Sequence, residues 1–162
     1  MSYDHGTAAA WWIAILTALA IWFGIVMLIS LALYVVNAFA LMSLFRKVGV
    51  APWIGWVPYY NTWTVLELGG QPGPLALLSL APYGNYAVIV FLAISHHRTG
   101  IAFRKDTGWV VLGIFLPFVW AFLLGRPDEV YRPELITAAG YPPPKVGFGA
   151  PTAAPPAAPA AA

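Results

Sequence analysis

His96 and His97, followed by Asp106, are the one group of side chains in this sequence with the chemistry to move protons or ligate a metal. Their spacing argues against both uses. Neighbouring side chains on a helix diverge by about 100°, so two adjacent imidazoles do not converge on one tetrahedral ion. No acid precedes them at the spacing of zinc hydrolases, and no serine stands in a nucleophile elbow. The chain has no cysteine, which removes thiolate metal sites, disulfides and thiol redox chemistry. We expect no catalytic residue, no metal ligand and no cofactor. A histidine pair beside Arg98 suits the end of a helix, where cations complement the dipole and meet headgroups. An enzyme built on His96 or His97 is the least supported reading.

A second set of residues offers hydrogen bonding in place of acid–base chemistry. Val57-Pro58-Tyr59-Tyr60-Asn61 is echoed by Ala81-Pro82-Tyr83-Gly84-Asn85, and a third proline, Pro117, lies in a later apolar stretch. Inside a helix, each proline would free the carbonyl four residues before it, those of Ile54, Leu78 and Gly113. In lipid such a carbonyl must find a partner. Asn61 and Asn85 each stand three residues after a proline, on the same helical face. One reading is a polar seam of Pro58, Tyr59, Asn61, Pro82, Tyr83, Asn85 and Pro117 that binds a solute or ion at mid-membrane. The other is that the amides hydrogen-bond across helices and hold a bundle together. No intramembrane acid or base accompanies them to couple protons, Glu67 being expected at the outer headgroup level, which favours the second.

The elements that must carry these residues follow from composition. The 162 residues are 60% apolar and 9% charged, with mean hydropathy +0.75. A soluble domain carries roughly a quarter charged residues, so a soluble globular enzyme is excluded and a polytopic membrane protein takes its place. A net charge of +2 is too small to suggest nucleic acid. No charge interrupts the chain from Ala8 to Phe45, and that stretch has no proline and a single glycine, Gly24. We read it as one long helix, with Trp11, Trp12 and Trp22 as interfacial anchors. The N-terminus lacks the basic residues and short apolar core of a cleaved signal. The predicted organisation is an N-terminal extension over 1–7 and a membrane domain over 8–125, with helices at about 8–45, 53–68, 74–95 and 109–124. A juxtamembrane segment (126–139) and a disordered Pro/Ala-rich tail (140–162) of polyproline character complete it.

A duplication sets the expected topology. Phe45-Arg46-Lys47-Val48-Gly49 recurs as Phe103-Arg104-Lys105-Asp106-Thr107-Gly108, and each copy leads to a Trp, Trp53 or Trp109, that opens an apolar segment. If both corners lie on one side, the crossings between them are even in number. The positive-inside rule then places Arg46, Lys47, Arg98, Arg104 and Lys105 in the cytoplasm. Arg126, Arg132 and Lys145, offset by Asp128, Glu129 and Glu134, fall outside. The expected fold is all-α and multi-pass, with four transmembrane helices as two similar pairs and both termini outside the cell membrane. Segment 53–68 is its weak point: sixteen residues give about 24 Å of helix against a hydrocarbon layer of about 30 Å. A re-entrant hairpin is the alternative there.

Phe45-Arg46-Lys47-Val48-Gly49, Pro52-Trp53 and Val57-Pro58-Tyr59-Tyr60-Asn61-Thr62 resemble an uncharacterised family of small bacterial multi-pass membrane proteins. That family's pattern is Phe-x-Lys-Ala-Gly, Gly-Trp and then Ile-Pro-x-Tyr-Asn, and some members are labelled exoproteins. Phe103-Arg104-Lys105 to Gly108 and the helix with Leu116-Pro117 are similar to its second half. The resemblance runs from Leu31 to Leu124; Arg46, Arg104 and Pro74 depart from the usual pattern. It implies a multi-pass integral membrane protein and no catalytic residues. The expected function is a non-enzymatic accessory or scaffold component of the bacterial plasma membrane. Its partners would be the lipid bilayer, other membrane proteins or further copies of itself, and no nucleic acid. The alternative is a small oligomeric transporter or channel with proline-kinked helices lining the path.

Overall fold

A computed structural model describes residues 5–148 and is all-helical, with no strand among the described residues. The chain divides into two units, residues 1–36 and 37–162. The first is the greater part of α1 (His5–Val48), an unbroken helix of 44 residues. Its Ala, Leu and Ile residues favour helix, and nothing in the run breaks one. Residues 9–33 are all exposed along it, Trp11, Trp12, Met27 and Leu28 by two-thirds or more. Among the described residues this is the one helix long and apolar enough to cross a membrane.

The second unit begins with the last turns of α1. Arg46 and Lys47 sit in its final turn, where cations oppose the dipole. Gly49, at φ 80°, ends it in a left-handed cap with Val50 N–H donating to Phe45 O at 2.8 Å. The chain then forms a 3-10 arm (Pro52–Trp56) and α2 (Tyr60–Leu68), a second 3-10 arm (Gly73–Leu80) and α3 (Gly84–Ala102), and finally α4 (Gly108–Phe115), α5 (Pro117–Leu124) and α6 (Glu134–Ala138).

The segments read from the sequence as straight spans are folded back on themselves. In 53–68 the 3-10 arm lies along α1, with Gly55 against Ala38 and Met42, and α2 returns so that Leu68 and Val48 both meet Gly147. In 74–95 Gly69, ahead of the arm, contacts Ser95 of α3, and the chain turns at Pro82 so that Gly84 abuts the Leu78 carbonyl. In 109–124 the break falls at Leu116, and both Gly113 and Trp120 reach His96 from the two arms. The residues flanking this last hairpin also meet: Lys105 Nζ lies 2.6 Å from Glu129 Oε1. Proline explains the difference. Pro58 and Pro82 stand in turns between a 3-10 arm and a helix, not inside a helix, and Pro117 opens α5. Two of the three carbonyls expected to be freed are used at once, Ile54 O by Val57 N–H at 3.0 Å and Leu78 O by Ala81 N–H at 3.0 Å.

Of the two internal echoes, one is structural. Tyr59 and Tyr83 both adopt φ 62° immediately before a helix, so the Pro-Tyr turns are in register. The Phe-Arg-Lys copies are not. Phe45, Arg46 and Lys47 are helical, whereas Phe103 follows the end of α3 and Arg104 is itself the left-handed residue at φ 56°.

One core joins the elements: Leu41, Leu44, Phe45 and Val48 of α1 with Ile54, Val65, Leu68, Phe103, Trp120, Leu124 and Ile136. The start of the Pro-rich tail is packed onto it. Tyr141 and Val146 lie against the core, Pro144 and Gly147 are buried, and Lys145 N–H donates to Glu67 O at 2.9 Å. Residues 140–148 are thus part of the body. The remainder of the tail expected to be disordered, 149–162, lies outside the described residues.

Candidate functional site

The turns of the three hairpins and their bases are chemically opposite. Every charged residue of the second unit lies in the last turn of α1, in the C-terminal part of α2 or α3, at the start of α6, or in the loops and tail between and beyond them. Arg46, Lys47, Arg98, Arg104 and Lys105 all belong to this end. Lys47 Nζ donates to Pro127 O at 3.1 Å and Glu129 O at 2.8 Å. Lys105 pairs with Glu129 and lies 4.7 Å above the Trp109 ring. Arg98 donates to Gly69 O at 3.1 Å and stacks 5.1 Å from the Tyr141 ring centroid. The loop carrying Arg126, Asp128 and Glu129, expected opposite the two Arg-Lys corners, therefore sits with them. Tyr131 packs on Phe103 at this end, where burial, with the Glu134 carboxylate adding to it, raises the phenol pKa.

At the other end the residues are apolar and exposed: Trp53, Trp56, Tyr59 and Tyr60 in the first hairpin, Leu80, Tyr83 and Tyr86 in the second, Phe115 and Leu116 in the third. The expected polar seam is divided by this arrangement. Asn85, Pro82 and Tyr83 are exposed on the second turn, and Pro58 and Tyr59 are exposed on the first. Asn61 is buried, donating to Gly55 O at 3.4 Å and accepting from Thr62 Oγ1 at 3.2 Å.

Asn61 and Pro117 meet at a cavity of about 220 Å³ between the three hairpins and α1. Apolar Leu41, Val65, Ile89, Leu92 and Ile114 line it together with Asn37, Thr62, His96, Gly113 and Trp120. His96 is buried and its ring lies 4.4 Å from that of Trp120. Burial lowers its pKa from 6.5 to about 4, so the imidazole is neutral at pH 7. Its Nδ1 faces Gly113, where a Cβ would stand 2.7 Å away. His97 turns elsewhere and meets the edge of Tyr141 at 6.0 Å. Among the described residues no three His, Asp or Glu side chains gather as metal ligands do.

Asn37 and Trp120 were not singled out by the sequence reading, and Gly113 entered it only for its carbonyl. Asn37 had a signal, being the one amide in the charge-free run from Ala8 to Phe45. Gly113 and Trp120 had none, since their role depends on the fold-back at Leu116.

Comparison with known protein families matches residues 53–133 to one described as a family of unknown function, DUF5684. That stretch covers the three hairpins and stops short of α6. No curated protein and no solved structure matches the chain.

Proposed function

The chain belongs to the DUF5684 family of unknown function, and from that premise we propose that it is a non-enzymatic accessory protein of the plasma membrane, held by one crossing helix and three hairpins that dip into a single leaflet. The separation of charge from apolar turns carries this reading. Twenty-five consecutive exposed residues over 9–33, most of them large and apolar, suit lipid and not water. From Arg46–Lys47 at one headgroup layer, Trp22 lies about 36 Å along α1, close to the far interface. From its first charge, Arg98, α3 runs about 21 Å to the turn at Gly84, and the other hairpins are shorter. Such depths fit one leaflet and not a crossing of about 30 Å.

On this reading the bases, rich in Lys and Arg, face the cytoplasm. They form a platform for cytoplasmic or membrane partners, and residues 140–148 share that side. The histidines serve packing, His96 against Trp120 and His97 against Tyr141, which supports a non-enzymatic role. Hairpins that return to the face they left provide no route between faces, which favours an accessory over a transporter.

Single cysteines test the arrangement on a cysteine-free background. Gln71→Cys, Thr107→Cys and Asp128→Cys should all react with an impermeant maleimide from the same side. Four straight crossings would put position 107 opposite positions 71 and 128, and that outcome would overturn the reading. For function, KCl-loaded proteoliposomes should leak no faster than protein-free vesicles; a leak abolished by Asn61→Leu would favour a channel.

A further inference from the structure

We propose that the cavity between the hairpins binds a neutral single-chain amphiphile, its uncharged oxygen-bearing head held among Asn37, His96 and Trp120 and its chain leaving past Ile89, Ile114 and Pro117. The inference goes beyond the accessory role and rests on the membrane reading only for where such a molecule comes from.

Three polar atoms on the cavity-lining residues are buried without a hydrogen-bond partner: Asn37 Oδ1, His96 Nδ1 and Trp120 Nε1. Buried polar atoms in proteins are almost always paired; of the six unpaired ones among the described residues, three belong to residues that line this one cavity. His96 is 5% exposed and Trp120 1%, so neither can turn out to solvent. The set is mixed in character. Indole N–H only donates, the amide oxygen only accepts, and a neutral imidazole nitrogen does either according to tautomer. A hydroxyl, which gives one hydrogen bond and receives others, answers all three; a carbonyl answers the donors.

Charge selects against ionic heads. No Lys, Arg, Asp or Glu lines the cavity, so a carboxylate, phosphate or ammonium there would be buried with nothing to compensate it. The mouth selects for a chain, since Ile89 and Ile114 are 48% and 37% exposed at its rim. A volume of about 220 Å³ equals that of roughly seven waters, enough for a small head and its first few methylenes.

Photolabelling of the full chain in detergent micelles tests this. The probes are hexadecanol and hexadecanoic acid, each with a diazirine near the head, at pH 7.5. The alcohol should label peptides containing Ile89 to His96 or Ile114 to Trp120 at least fivefold more than the acid does. Trp120→Phe, which removes the N–H donor, and Ile89→Trp, which blocks the exposed mouth, should each lower that labelling at least fivefold. Ile25→Trp on exposed α1 should leave it unchanged. Equal labelling by the acid, or labelling indifferent to Ile89→Trp, would overturn the inference. Ile89→Trp decides the matter if Trp120→Phe does not fold. Maleimide accessibility reads the membrane arrangement separately: hairpins that dip without alcohol labelling defeat this inference alone, and alcohol labelling without dipping hairpins defeats the other.

Discussion

The two Pro-Tyr turns begin alike and end differently. Each follows a 3-10 arm, holds its tyrosine at φ 62° and opens a helix. Yet Asn61 is buried beside the cavity while Asn85 is exposed, and the residue before each asparagine is Tyr60 in one turn and Gly84 in the other. Gly84 is obligatory, because a Cβ there would collide with the Leu78 carbonyl. In the first turn the matching Tyr60 is exposed, its ring 6.0 Å from that of Trp53. Local chemistry makes the turn; what packs beside it decides whether its amide is structural or free.

Substitutions in the two turns sharpen that contrast. Gly84→Ala should be the most damaging, costing about 3 kcal/mol or more, whereas Tyr60→Ala at the matching position should cost below about 1 kcal/mol; thermal unfolding in detergent measures both. Equal effects would mean that the turns are packed alike.

The next largest effect concerns His96, on the returning arm of the second hairpin. Its folded pKa, about 4, lies below its ordinary 6.5. Between those values the unfolded chain binds the extra proton, so stability is full above pH 6.5 and falls as pH drops towards 4. The loss should approach about 3 kcal/mol, and His96→Phe should remove that part of the pH dependence. A stability unchanged between pH 7 and pH 4.5 would contradict the burial of the imidazole.

Asn61→Leu strands the Gly55 carbonyl and the Thr62 hydroxyl, at a cost of about 1–3 kcal/mol. Asn85→Leu should change stability by less than about 0.5 kcal/mol. Tyr83→Gly has the opposite sign. Relief of a left-handed tyrosine, offset by glycine's chain entropy, should stabilise by about 0.5–1 kcal/mol, seen as a raised unfolding midpoint.

Composition alone determined the helical class, the long charge-free first helix and the Pro-Tyr echo, because each is a property of neighbouring residues: apolar excess, absence of breakers, and a proline followed by a turn residue. Tertiary structure decided what those pieces become. A run of apolar residues reads the same whether it goes straight across or folds back, and only contacts between its two ends, such as Lys105 with Glu129, distinguish the two. The Phe-Arg-Lys repeat misled for a related reason: identical triplets fell on different sides of a helix end, and a cap depends on which residue reaches positive φ. The cavity was out of reach of any local pattern, since Asn37, Asn61, His96 and Trp120 come together only when three hairpins close against α1. Local propensity makes turns and helices, whereas long-range packing chooses their neighbours and so builds the site.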